Sequence, residues 1–241
     1  RGIWDSPWVG IKNFTFLFRS PDSWIIIRNT ILYNIVFIFL GTAFSVFIAI
    51  LLNECSRKWQ KRYQTLILIP HLLSYVVVSY IAYAFLGAEN GMINNQILRP
   101  LGLDPISFYT EDKYWPFILV FVNIWKTFGY SSIIYFASII GIDRTYYEAA
   151  EVDGASAWTQ IWSITLPLLK PVLITMLLLS VGRILYSDFG LFYQVPMDSG
   201  MLFNTTNTID TFVNKERNHF RQQIEGLKKI LVKCRSPDTD L

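Results

Sequence analysis

Four carboxylates, Asp143, Glu148, Glu151 and Asp153, fall within one short stretch of this chain. Paired carboxylates at a surface can perform general acid–base work, and they can also cap helices or meet basic groups on a partner. The flanking residues fit capped helices. Thr145 stands three residues before Glu148, the spacing of a capping box at a helix start. Ala149 and Ala150 are small enough to let another surface approach closely. Asp153-Gly154 is a turn signal, and Ser156 is placed to cap a second helix carrying Trp158, Ile161 and Trp162. Pro167 is expected to end that helix, and Pro171 to sit in the first turn of the next. The pattern describes a helix–turn–helix elbow over residues 143–170 that presents small, acidic and aromatic groups.

A second set of reactive groups lies within apolar surroundings. Asn123, Lys126 and Tyr130 are spaced i, i+3, i+7 and share one helix face, with Trp125 adjacent. That stripe either lines a pathway for a sugar, with Tyr and Trp stacking on pyranose faces, or provides hydrogen bonds between helices. Arg183 and Tyr186 form another polar patch, suited to a sugar hydroxyl or a uronic carboxylate; an ion pair with another subunit is the alternative. Asp188 is five residues beyond Arg183, about 140° around a regular helix, so the two are not expected to neutralise each other. His71 has no second ligand near it in sequence and reads as structural. No G-x-x-x-x-G-K-[ST], G-x-S-x-G or H-E-x-x-H pattern occurs, and the 2 histidines and 2 cysteines, Cys55 and Cys234, form no metal-type or disulfide spacing. No catalytic residue, metal ligand or cofactor site is therefore assigned to this chain.

The elements that must position these groups are membrane spans. Of the 241 residues 52% are hydrophobic and only 16% charged, against about 25% charged in soluble domains, and the mean hydropathy is +0.35. A bilayer core of about 30 Å needs about 20 apolar residues in a helix. Four segments, about 30–52, 64–86, 116–140 and 171–193, meet that length, and the first carries no charge. The link between the first two holds Arg57, Lys58, Lys61 and Arg62, and short basic loops stay cytoplasmic. The segment 87–115 is then external, the elbow 143–170 cytoplasmic, and the chain after Tyr193 external again. A short interfacial helix is expected over Met92–Leu101, broken by Pro100 and Gly102. Trp4, Trp8 and Trp24 suit a headgroup region. The net charge of +3 is carried by residues 214–241, too little to argue for nucleic acid. The expectation is an all-α, multi-pass protein embedded in a lipid bilayer.

The run Glu148-Ala149-Ala150-Glu151-Val152-Asp153-Gly154-Ala155, with Ile164, Leu166 and Pro167 following, resembles the EAA signature of binding-protein-dependent ABC permeases. "SPWVGIKNF" at 6–14, "IWKTFGYSSIIYFASIIGID" at 124–143 and "NTIDTFV" at 207–213 are similar to the sugar-permease branch, of the LplB-like oligosaccharide kind, over roughly residues 3–213. The resemblance implies the helical bundle of a type I ABC importer permease, in the bacterial plasma membrane. It implies that Glu148, Ala149, Ala150, Asp153, Gly154, Leu166 and Pro167 couple to a cytoplasmic ATPase dimer that binds ATP and Mg. A second homologous permease subunit and an extracellular solute-binding lipoprotein would complete the assembly. The family pattern has six spans, so the four read here leave one expected before Ser6 and one after Val213. The chain starts with Arg1 rather than Met, and the basic stretch 214–241 matches nothing in the family; a truncated or frameshifted product is one reading of both. A membrane enzyme using the elbow carboxylates and an ion-driven carrier are the remaining alternatives.

Overall fold

In the computed structural model, residues 21–235 are described, with side chains described over 23–225. The expectations placed on Trp4, Trp8, the 6–14 motif and the end of the tail lie outside these residues, and that on Cys234 lies outside the described side chains. Three helices are long and apolar enough to cross a membrane: Ser23–Glu54, Asp112–Ile140 and Ala157–Val181. A bent pair, Arg57–Leu72 and Tyr75–Leu86, whose axes meet at 92°, is long and apolar enough only when its two helices are taken together, as a broken span or a re-entrant loop. Among the described residues there is no strand.

The first helix, α1 (Pro21–Glu54), is a single uninterrupted element. Phe39, Phe47, Phe117, Phe121, Leu178 and Leu179 are all strongly exposed. In water such a surface would drive association; hydrocarbon is the solvent that suits it. The segment expected as one span over 64–86 is instead α2 (Arg57–Leu72) and α3 (Tyr75–Leu86). Pro70 lies inside the end of α2 and cannot donate a backbone hydrogen bond. Leu73 and Ser74 are extended, and the Ser74 hydroxyl caps the new helix by accepting from the Val77 amide. The break follows from a proline that weakens one helix and a serine that starts the next.

Helix α4 (Trp115–Ile140) opens with Pro116 in its first turn and runs along α1. It also meets α2 closely: a Cβ placed on Gly129 would lie 1.8 Å from the carbonyl oxygen of Ile67. After α4 come α5 (Thr145–Val152), α6 (Ala157–Gln160), a widened π turn (Ile161–Thr165) and α7 (Leu166–Val181). Two expectations change here. Pro167 does not end a helix; it occupies the first turn of α7, which continues from α6 through the π turn, and Pro171 lies inside α7. The fourth span, expected to reach residue 193, is helical only to Val181. Beyond it the chain turns, makes a short π turn at Gly190–Gln194, a short α8 (Phe203–Thr206), and then α9 (Ile209–Arg235).

Two cores hold the bundle. One surrounds Val78, Trp115, Leu119, Leu191, Phe192, Val195 and Leu202. The other, nearer the elbow, packs Val46, Ala49, Leu52, Tyr135, Phe136, Ile139 and Leu169. At the end away from the elbow the segment between α3 and α4 is organised by buried Asn94. Its amide donates to the carbonyls of Gly87, Ala88 and Ile106, and its oxygen accepts from the Ile106 amide at 3.0 Å. The expected short helix lies here as a π turn at Ile93–Leu98 followed by a 3-10 turn at Arg99–Leu101, closed by Gly102 at φ +73°. Burial, with Tyr83 alongside, pushes the Tyr109 hydroxyl up to about 12.

Candidate functional site

The elbow is built as a turn between two capped helices. Asp143, not Thr145, starts α5: its Oδ1 accepts from the Thr145 amide at 3.0 Å. That hydrogen bond holds the Asp143 carboxyl below the usual carboxylate range. The expected Thr145–Glu148 capping box does not form, because Arg144 takes the cap position and Asp143 supplies the acceptor. Gly154 then adopts φ +77°, a conformation costly for residues with a Cβ. The Ser156 hydroxyl accepts from the Thr159 amide and caps α6. Glu148, Ala149, Asp153 and Gly154 are exposed; Ala150, Leu166 and Pro167 are half-buried. No residue of α5 is buried, and Val152 is 88% exposed. Behind the elbow lies a cavity of about 790 Å³, whose lining includes Glu54, Arg57, Gln60, Arg144, Glu148 and Glu151. The basic start of α2 and the elbow therefore share one end of the bundle.

The second feature is a polar groove of about 360 Å³ between α1, α4 and the end of α7. From α1 come Asn34, Ile38, Gly41 and Ser45; from α4, Asn123, Thr127 and Ser131; from the last segment, Ser180, Arg183, Tyr186 and Asp188. The α1 residues recur at i, i+4, i+7 and i+11, one stripe of a helix. Irregular backbone at membrane depth persists where it lines a cavity and finds partners, and that is the case after Val181. The Asn34 amide donates to the carbonyls of Ile184 and Tyr186 at 3.0 and 3.1 Å. Asp210 Oδ2 accepts from the Ser187 amide and hydroxyl, and Asp188 Oδ1 from the Gly190 amide.

Of the six residues read as a pathway, the structure brings Asn123, Arg183 and Tyr186 to this groove. It places the other three elsewhere. Trp125 packs against the first core. Lys126 is buried, with its ammonium donating to the carbonyls of Pro70, His71 and Leu73 at the α2–α3 break. Tyr130 stacks on His71 with ring centroids 4.9 Å apart. Arg183 and Asp188 form no ion pair; the Arg183 guanidinium lies 5.0 Å over the Tyr186 ring. Asn34 and Ser45 are further groove residues, and polar residues on one stripe of an otherwise apolar run are the sequence signal that marks them. Among the described residues no cluster of His, Cys, Asp or Glu is placed to hold a metal ion.

Three apolar helices long enough to cross a membrane, a bent apolar pair beside them, a polar groove and an exposed elbow at one end define a multi-pass helical membrane protein. The family model described as binding-protein-dependent transport system inner membrane component matches residues 27–190. The chain belongs to that family, whose members are transport permeases rather than enzymes. Two relatives come from Bacillus subtilis (strain 168). The polygalacturonan/rhamnogalacturonan transport system permease protein YteP is 34% identical over 218 residues, 88% of this chain and 65% of that protein. The protein LplB is 32% identical over 213 residues, 88% of this chain and 66% of that protein. The chain thus spans about two thirds of the length of these relatives. A solved structure of a bacterial alginate ABC transporter, in complex with an alginate pentasaccharide-bound periplasmic protein, superposes with TM-score 0.79 at 31% identity. The superposition covers 91% of this chain and 73% of that one.

Proposed function

We propose that this chain is the membrane-spanning permease subunit of an ATP-binding-cassette importer that carries a carbohydrate. The observation that carries the reading is the elbow. It is an exposed helix and a glycine turn joined through α6 and the π turn to the spanning helix α7. A cytoplasmic ATPase dimer, binding ATP and Mg, docks on Glu148, Ala149, Ala150, Asp153 and Gly154. Leu166 and Pro167, in the first turn of α7, carry the displacement into the spanning helix. Because α7 supplies Met176 and Ser180 to the groove wall, a push on the elbow changes the groove and opens it to alternate sides. A second, homologous permease subunit faces the groove, and an extracellular solute-binding lipoprotein delivers the sugar. The polysaccharides named in the relatives' descriptions support a carbohydrate cargo.

The test is coupling. In the assembled transporter, Gly154→Pro and Glu148→Arg are expected to separate ATP hydrolysis from sugar uptake while membrane insertion persists. Uptake at the wild-type level in both variants removes the coupling role.

A further inference from the structure

Arg183 is held in an unusual setting. Helix α7 stops at Val181, and the backbone from Gly182 to Ser187 crosses beside the middle of α1 and α4 without forming a helix. That backbone is pinned from two sides, by Asn34 through the carbonyls of Ile184 and Tyr186 and by Asp210 through Ser187. These anchors hold the backbone just after Arg183 and α7 holds it just before, so the Arg183 backbone is fixed, which lowers part of the ordering cost of binding.

What it presents is an unneutralised cation. Among the described residues the Arg183 guanidinium meets no carboxylate and donates to no acceptor; its one contact is the face of the Tyr186 ring. The acid that shares the groove, Asp188, is occupied elsewhere, accepting from the Gly190 amide. Charges among apolar helices are costly and mark pathways or partners. The groove around Arg183 adds neutral hydrogen-bonding groups. Ser45 Oγ, on a residue only 1% exposed, has no partner, and Asn123 and Ser131 line the same space. The planar guanidinium fork matches a carboxylate in two parallel hydrogen bonds, and hydroxyls and amides match the ring hydroxyls of a sugar. At about 360 Å³ the space lies within the range of small-ligand sites, about 300–1,000 Å³.

We propose that the groove selects oligosaccharides that carry carboxylates, with Arg183 recognising the uronate group and Asn123, Ser131 and Ser45 the neighbouring hydroxyls. This rests on the importer reading and narrows its cargo to acidic sugars. Arg183 sets specificity; it takes no part in any bond-making step.

The experiment compares initial ATP-dependent uptake of trigalacturonate and of its neutral methyl ester. The complete transporter, with its ATPase and binding protein, is placed in vesicles. The wild type is expected to favour the acid by about tenfold, the discrimination set by one charge-assisted bidentate contact. Arg183→Gln should bring the acid-to-ester ratio to about one, and Arg183→Lys, which keeps the charge but loses the planar fork, should give a ratio between those of Arg183→Gln and the wild type. The binding protein is the same throughout, so a change in ratio belongs to this chain. A wild-type ratio near one, an unchanged ratio in Arg183→Gln, or equal loss of both probes in the Gln and Lys variants overturns the proposal. Absence of uptake of either probe while the elbow still docks on the ATPase overturns the acidic cargo alone; failure of docking overturns the importer reading itself.

Discussion

The ammonium of Lys126, on α4, donates to the carbonyl oxygen of His71, at the end of α2, across 3.0 Å. It also reaches the carbonyl of Pro70, which accepts from the Leu73 amide as well, and that of Leu73, and lies 4.8 Å over the Tyr75 ring. The side chain closes the break between α2 and α3. Lys126→Met is expected to destabilise the protein by about 2 kcal/mol, the scale of hydrogen bonds to a charged group plus exposed carbonyls. Thermal unfolding in detergent checks this; an unchanged midpoint would separate Lys126 from the break.

Gly129 is where α4 touches the backbone of α2. Gly129→Ala puts a methyl group into the Ile67 carbonyl, and overpacking of this kind costs on the order of 1–3 kcal/mol. Gly41→Ala is the control, because nothing lies within 4 Å of a Cβ there and alanine is the better helix former by about 1 kcal/mol. The two variants should move the unfolding midpoint in opposite directions.

Asn34 holds the unwound strip at the groove. Asn34→Leu leaves the Ile184 and Tyr186 carbonyls without their donor, at a cost of about 1–3 kcal/mol. Amide exchange across 182–188 should rise while exchange in α1 stays slow. Equal protection of that strip in variant and wild type would mean that Asn34 does not pin it.

The start of the elbow should respond to acid. Asp143 is held below its unfolded value by the Thr145 amide. Its contribution is therefore present above the unfolded value and is lost as pH falls through the lower folded one. The first turn of α5 is expected to fray on acidification below about pH 4 and to be intact at neutral pH. Amide exchange at Tyr146–Glu148, corrected for intrinsic rates, reports this, and Asp143→Asn should flatten the dependence. A dependence that survives Asp143→Asn assigns it to another group.

Much of this arrangement is legible in the sequence where a local rule decides it. The charge-free run around Ile35–Leu51 reads as a span, and Asp153-Gly154 followed by Ser156 reads as a turn and a cap, because each depends on neighbouring residues only. The break at Leu73–Ser74 is not legible. Pro70 can equally kink a helix, and the group that stabilises the break, Lys126, is remote in sequence. The end of α7 at Val181 is hidden for another reason: Leu185, Phe189, Leu191 and Phe192 keep the composition apolar after the helix has stopped. The groove depends on which stripes of α1 and α4 face each other, and spacing within one helix does not supply that phase. Hence Asn123 reaches the groove while Lys126, three residues on, turns to α2.

In the proposed importer the exposed elbow meets a nucleotide-hydrolysing partner inside the cell. The most direct measurement places a cysteine at Val152, 88% exposed on α5, in the assembled transporter, and follows thiol crosslinking to the ATPase subunit in membrane vesicles. A crosslink that forms with the ATPase, together with protection of Val152→Cys from impermeant thiol reagents added outside intact cells, is the expected result. Labelling from the outside, or no crosslink to the ATPase, would contradict the account.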